Sequence, residues 1–157
     1  MKKGYIFETP IGRIFLVEED QVLTHLCLPN SLPPQNIIFQ KTAFLQKVAK
    51  QLEEYFNGTR TEFTIPLHPQ GTDFQKKCWQ ALQKIPYGKT CSYQEIASAI
   101  GNPKACRAVG MANHYNPIAI LIPCHRVIGA NGKLVGYGGG LNIKQYLLQL
   151  EQGRKLC

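Results

Sequence analysis

The stretch that settles the fold reads Ser92-Tyr93-Gln94-Glu95-Ile96-Ala97-Ser98-Ala99-Ile100-Gly101-Asn102-Pro103-Lys104-Ala105-Cys106-Arg107-Ala108-Val109-Gly110. Ser92 with Glu95 three residues on is a capping box. It predicts a short helix through Ile100, with Ile96, Ala97 and Ile100 facing inward. Gly101-Asn102-Pro103 is a tight turn, and Pro103 suits the start of a second helix. That helix, Lys104 to about Asn113, is built mainly of the small residues Ala105, Cys106, Ala108, Gly110 and Ala112, with Arg107 projecting from its middle. Two short helices joined by a glycine-containing turn predict a helix-turn-helix.

Downstream, Ile118–Ile122 reads as a buried strand, and Val127–Val135 as a hairpin with an Asn131-Gly132 turn, placed to serve as a wing. Upstream, Thr72 and Gln75 form another capping box before a helix that carries Phe74, Cys78, Trp79, Leu82 and Ile85 and stops at Pro86-Tyr87-Gly88. Further back the pattern changes. Tyr5–Thr9, Arg13–Glu18 and Val22–Leu28 read as strands separated by turn residues, and Pro29–Pro34 as a loop. Thr42 caps a helix ending at Gly58, with Phe44, Leu45, Val48, Ala49, Leu52, Tyr55 and Phe56 on one face, and Phe63–Leu67 reads as a short strand. His68-Pro69-Gln70-Gly71 is the natural linker. The fold class predicted is α+β: a sheet-and-helix domain over residues 1–69, then a winged helix-turn-helix domain over 70–157.

Charge divides at the same place. Residues 1–69 carry seven Lys/Arg and seven Asp/Glu, whereas residues 70–157 carry eleven and three, so all of the net +8 lies in the second part. Such asymmetry suits a polyanion, nucleic acid first, or simply a soluble basic face. A hydrophobic fraction of 44% over 157 residues supports a packed core and excludes a disordered tail. The longest apolar run, Ile118–Ile122, is far short of the roughly 20 residues of a membrane span. With no apolar leader after Met1-Lys2-Lys3 and no Cys-x-x-Cys pair, the six cysteines read as free thiols in a reducing cytoplasm.

The chemistry centres on Pro123-Cys124-His125-Arg126. A thiol is a useful nucleophile as thiolate, and a nearby histidine or cation promotes that form. Adjacency in sequence does not establish contact, and any one cysteine can be a small buried hydrophobe. Cys124 is distinguished by its setting, at a strand end, after a proline, between helix-turn-helix and wing. His25, Cys27 and His68 do not make a four-ligand set at usable spacing, so no metal site is predicted.

Ile122-Pro123-Cys124-His125-Arg126-Val127, preceded by Gly101–Gly110 and by Asn116-Pro117, resembles the methylated-DNA–protein-cysteine methyltransferases, the O6-alkylguanine-DNA alkyltransferases of direct repair. The likeness runs from about Thr72 to Glu151. Residues 1–69 match only in layout, which the family implies is ribonuclease-H-like. The resemblance implies that an alkylated guanine is flipped out of duplex DNA and that Cys124 takes its alkyl group irreversibly, once per molecule, with no cofactor. It further implies His125 as a base acting on the thiol through a water, Glu151 as the acid orienting His125, and Asn116 as the brace of the active-site turn. Tyr93 would contact the target phosphate and base and can donate a proton to the leaving guanine. Arg107 would fill the gap in the base stack, with Ala105, Ala108 and Gly110 letting the helix approach the minor groove. Val127, Tyr137 and Gly138 would wall the pocket. Met111 departs from relatives with a small residue there, and Gly138 from those with serine. The partner so implied is double-stranded DNA containing O6-alkylguanine, with O4-alkylthymine left open, and the protein would act as a monomer without a membrane. Three other readings remain at this point: a lesion sensor that flips without repair, a winged-helix regulator, and a cysteine hydrolase. Cys124 argues against the first, the Pro-Cys-His-Arg turn is unexplained by the second, and the basic helix-turn-helix by the third.

Overall fold

A computed structural model describes residues 1–132, 137 and 140–153. The chain forms two compact units. One is Met1–Pro69 with Pro117–Ala119, and the other is Gln70–Asn116 with the chain from Ile120. Among the described residues, no helix is long and apolar enough to cross a membrane.

The first unit is a four-stranded sheet of order β3-β2-β1-β4, covered by one helix. Its elements are β1 (Lys3–Thr9), β2 (Gly12–Glu19), β3 (Val22–Cys27), β4 (Ile38–Phe39) and α1 (Ala43–Phe56). β1 and β2 pair antiparallel from Lys3↔Glu18 to Thr9↔Gly12. The β2–β3 turn puts Asp20 and Gln21 at φ 54 and 63, the two positive values of a hairpin turn that follows the strand twist. Central β2 is buried from Ile14 to Glu18 because both its faces are covered, with Phe15 and Val17 packing alongside Cys27 and Ile37. Thr42 caps α1 by accepting from Leu45 N (3.0 Å) and donates its hydroxyl to the buried Glu18 carboxylate.

Two expected strands are absent in that form. In Phe63–Leu67 only Leu67 bridges a strand, to Leu23. Pro66 has no N–H for a ladder, and the Thr64 N–H goes to the Gln51 side chain instead (3.0 Å). Ile118–Ile122 is buried as expected, yet only Ile118 and Ala119 lie along β3, bonded to Leu26. Ile120 then turns the chain at φ 74, a conformation rare for a β-branched residue, and ends the extended run.

The second unit contains α2 (Asp73–Gln83), β5 (Cys91–Ser92), α3 (Tyr93–Ala99), α4 (Cys106–His114), β6 (Val127–Ile128) and α5 (Leu141–Glu151). Both capping boxes are formed, Thr72 with Gln75 and Ser92 with Glu95. α3 stops at Gly101 (φ 81), where the Gly101 and Asn102 N–H groups return to Ser98 and Ala97 carbonyls. The indole of Trp79 ties α2 to α4 through Nε1–H to Ala112 O (2.9 Å). α4 begins at Cys106 rather than Lys104, because the Ala105 N–H closes a turn on Asn102 O. Arg107 therefore stands in the first turn of α4, not its middle. Gln94 holds this junction, donating to Pro103 O (2.9 Å) and accepting from the Cys106 thiol (3.2 Å). The wing is seen in part. β6 pairs in parallel with β5, and Gly129–Gly132 forms a turn. The returning arm expected through Val135 lies outside the described residues.

Candidate active site

Pro123 (φ −81, ψ 65) makes an inverse γ-turn, closed by Cys124 N–H to Ile122 O at 2.8 Å. One 3-10 turn, Cys124–Arg126, follows, so the cysteine sits on a tight bend, not at a strand end. The bend is braced from just past the C-terminal end of α4. The Asn116 amide donates to Ile122 O (2.7 Å) and to Cys124 Sγ (3.2 Å). Cys124 is 6% exposed. Burial pushes its thiol up, while the Asn116 hydrogen bond, the charge of Lys144 and the backbone pull the other way. A donor aimed at sulfur favours the thiolate, so these groups prepare Cys124 against the cost of its burial.

Behind the cysteine lies a buried charge network. Glu151, the last residue of α5, receives His125 Nε2 at 2.5 Å on Oε2. Arg126 grips the same carboxylate through Nε to Oε1 (2.7 Å) and a second nitrogen to Oε2 (3.1 Å), and donates to Ile85 O (2.7 Å). Burial alone would raise the Glu151 carboxyl, but His125 and Arg126 overcome it and hold it at about 2. Burial lowers the His125 ring against the opposing pull of Glu151. His125 is thus neutral, and the always-charged Arg126 is the standing counter-ion of Glu151. A carboxylate only accepts, so Nε2 carries the ring hydrogen and Nδ1 keeps its lone pair. Nδ1 is buried with no hydrogen-bond partner in the structure. Gly88 N–H completes the Glu151 cage at 3.3 Å.

In front of the cysteine is a cavity of about 440 Å³, walled by Tyr93, Arg107, Gly110, Met111, Asn113, His114, Cys124 and Tyr137. Burial and the nearby Cys124 push the Tyr93 phenol up, so it stays protonated. Tyr137 is pushed well above its ordinary value, first by burial, and its hydroxyl is buried without a hydrogen-bond partner. Arg107 and Ala108 are exposed on α4, while Ala105 and Gly110 are half-buried. A methyl added at Gly110 would meet the Tyr93 ring at 3.8 Å. Val127 is fully buried in β6 and is not on the described cavity wall. Gly138 lies outside the described residues.

Three residues of this site were given no role from sequence. Arg126 was read only as part of the motif, because its carboxylate partner lies 25 residues away. Lys144 is fully buried on α5, two turns before Glu151 on the same face. Burial lowers its ammonium while Cys124 raises it. Its signal was available: Lys144, Leu147, Leu148 and Glu151 recur at helical spacing, so the lysine belongs to the inward stripe. Asn113 is the third.

A buried, braced cysteine at the wall of a cavity, backed by a neutral histidine and its carboxylate, defines a cysteine-nucleophile enzyme. Here it is carried on a helix-turn-helix frame. Residues 1–69 match the family described as 6-O-methylguanine DNA methyltransferase, ribonuclease-like domain, and residues 73–153 match the DNA binding domain of the same description. A methylated-DNA–protein-cysteine methyltransferase of Methanosarcina barkeri is 52% identical over 151 residues, covering 94% of this chain and 95% of that one. Its counterpart of the same name in Mycobacterium tuberculosis is 52% identical over 150 residues, covering 94% and 90%. The crystal structure of Mycobacterium tuberculosis OGT in complex with DNA superposes with a TM-score of 0.93 at 49% identity, covering 97% and 94%. The chain belongs to the 6-O-methylguanine DNA methyltransferase family.

Proposed function

We propose that this protein reverses alkylation damage directly, taking the alkyl group of an O6-alkylguanine in double-stranded DNA onto Cys124. The observation that carries the reading is the placement of Cys124 Sγ. It lies on the cavity wall, accepts a hydrogen bond from Asn116, and has the buried His125–Glu151–Arg126 chain behind it. DNA binding accords with the basic second unit and with the DNA complex of the Mycobacterium tuberculosis relative.

In this reading His125 Nδ1 receives the thiol proton through a water, while Glu151 holds the ring in the tautomer that leaves Nδ1 free. The thiolate displaces guanine at the alkyl carbon. The S–C bond forms, the C–O6 bond breaks, and the bonding pair leaves with guanine, which regains a proton from the Tyr93 side. The thioether has no route back, so each molecule acts once. Arg107, at the cavity mouth, fills the stack vacated by the flipped base, offsetting a few kcal/mol of lost stacking. Ala105, Ala108 and Gly110 keep the helix low enough to sit in a groove, and Tyr137 walls the base. The protein acts as a monomer, and in the cytoplasm, where Cys27, Cys78, Cys91, Cys106 and Cys124 stay free thiols.

The test is intact mass after incubation with a duplex holding one O6-methylguanine. The expected result is one added methyl per chain, mapped to Cys124 and absent from Cys124→Ser. Tight binding to the lesion without mass gain would replace this reading with a lesion sensor, and no lesion preference at all would leave a winged-helix regulator.

A further inference from the structure

Met111 takes no part in the bend that carries Cys124, yet its position on α4 is unusual. It stands one turn after Arg107 and is 53% exposed. Tyr115, the C-terminal cap of the same helix, follows one turn later and is 58% exposed. Residues four apart lie one above the other on a helix, so Arg107, Met111 and Tyr115 form a single stripe about 12 Å long. Ala108 lies exposed beside the stripe, while Val109 and Ala112 face the core. A lone exposed apolar side chain is ordinary. Here two large ones stand in line on a helix built mainly of small residues. Among the described residues of the second unit, the only other exposed large apolar side chain is Leu141.

The surroundings of the stripe point to its partner. Cys106–His114 contains no carboxylate, and Lys104 and Arg107 stand at its N-terminal end, in the part of the chain that carries all of the net positive charge. His114 borders the other end, its ring edge-on to Tyr115 at 5.1 Å. An apolar strip between cationic and polar ends suits a nucleic-acid groove, where phosphates flank the stacked bases. The minor groove is about 6 Å wide, too narrow for a whole helix of about 10–12 Å. Exposed Ala108 lets the α4 backbone come down on such a groove, and Met111 then projects beyond it toward the floor. Proteins that work in this groove insert apolar side chains, methionine among them, between base steps and so part the stack. An unbranched, polarizable side chain adapts readily to that gap.

We propose that the Met111–Tyr115 strip enters the minor groove and that Met111 is a wedge, parting the base step next to the target and so lowering the cost of extruding the damaged base. The proposal rests on the reading of α4 as the helix that lies in the groove and extends it. Arg107 fills the vacancy once the base has left, whereas Met111 loosens the stack that holds it in.

The experiment measures single-turnover methyl transfer by the wild type, Met111→Ala and Met111→Leu from three substrates. These are a duplex holding one O6-methylguanine, the same strand alone, and the free O6-methylguanine base. A single strand has little stack to part, and a free base has none. Met111→Ala should be about 10-fold slower on the duplex and within about 3-fold of wild type on the other two. Met111→Leu keeps an apolar wedge and should stay within about 3-fold of wild type on all three. The parting itself is read by 2-aminopurine placed next to the lesion, in a Cys124→Ser background where no transfer intervenes. Its fluorescence should rise as the protein saturates the duplex and should lose most of that rise when Met111→Ala is added. Equal slowing on all three substrates would make Met111 a wall of the base cavity and overturn the proposal. So would a duplex rate or a fluorescence rise that Met111→Ala leaves unchanged, or a leucine variant as slow on the duplex as the alanine one. No transfer from any substrate by the wild type, with a fluorescence rise that still depends on Met111, would overturn the alkyl-transfer reading and leave the wedge standing. No transfer and no rise would overturn both.

Discussion

Replacing Arg126 with methionine removes the standing counter-ion of a buried carboxylate and leaves His125 as its main partner. The structure sets the size of the effect. Arg126 makes three hydrogen bonds, two to Glu151 and one to Ile85 O, and its guanidinium lies 5.8 Å from the Tyr87 ring centroid. The Glu151 carboxyl is held at about 2 against an ordinary 4.5. That difference corresponds to roughly 3 kcal/mol of folding stability, shared between Arg126 and His125. Breaking a buried pair from one side costs about 3–5 kcal/mol, so two independent routes agree on magnitude. Arg126→Met should therefore lower the melting temperature by roughly 6–12 °C at pH 7. A carboxyl depressed on folding contributes its stability above its unfolded value and loses it as pH falls from about 4.5 through about 2. The gap between wild type and variant in urea unfolding should thus be full at pH 7 and about half as large at pH 3. Catalysis should respond separately. The Arg126 charge lowers the His125 pKa, so its removal raises it, and a ring protonated at Nδ1 cannot accept the thiol proton. The acid limb of the transfer rate should move up in pH, with activity partly recovered at pH 8. Adding Glu151→Gln removes the unpaired charge and should restore stability without restoring rate. An unshifted pH–rate profile together with an unchanged melting temperature would refute the reasoning.

Lys144→Met removes a buried ammonium that lowers the Cys124 thiol, so the midpoint for its reaction with iodoacetamide should move to higher pH and the rate at pH 7.5 should fall several-fold, to about a tenth at most. An unmoved midpoint would mean that the ammonium does not act on the sulfur. Arg107→Ala should slow methyl transfer from duplex DNA by about 10-fold or more, in line with a flipping cost of a few kcal/mol, while leaving reaction with the free O6-methylguanine base unchanged. Equal loss on both substrates would remove Arg107 from base flipping.

What could be read in the sequence was whatever depends on near neighbours. Thr72 with Gln75 and Ser92 with Glu95 close their helices within four residues, and Gly101 ends α3 by a turn that only local backbone groups complete. The β1–β2 and β2–β3 hairpins and the amphipathic face of α1 are legible for the same reason. The Pro-Cys-His-Arg bend marked the reactive thiol through its resemblance to the repair family, and the charge break at residue 70 marked the basic unit.

Tertiary structure decided the rest, because burial and partnership depend on residues far away in the chain. Phe63–Leu67 has the composition of a strand, but Pro66 and the Gln51 side chain, set by packing on α1, take it out of the sheet. Ile118–Ile122 has a strand's apolar run, yet Ile120 turns where the chain leaves β3. Arg126 reads as one more cation of a basic domain until Glu151 meets it inside the core, and Asn113 reads as a helix-end residue until its amide is found shut off from water without a partner. A sequence shows which groups can be charged or hydrogen-bonded. Only the folded chain shows which of them have lost their water, and that loss gives Cys124 and Glu151 their chemistry.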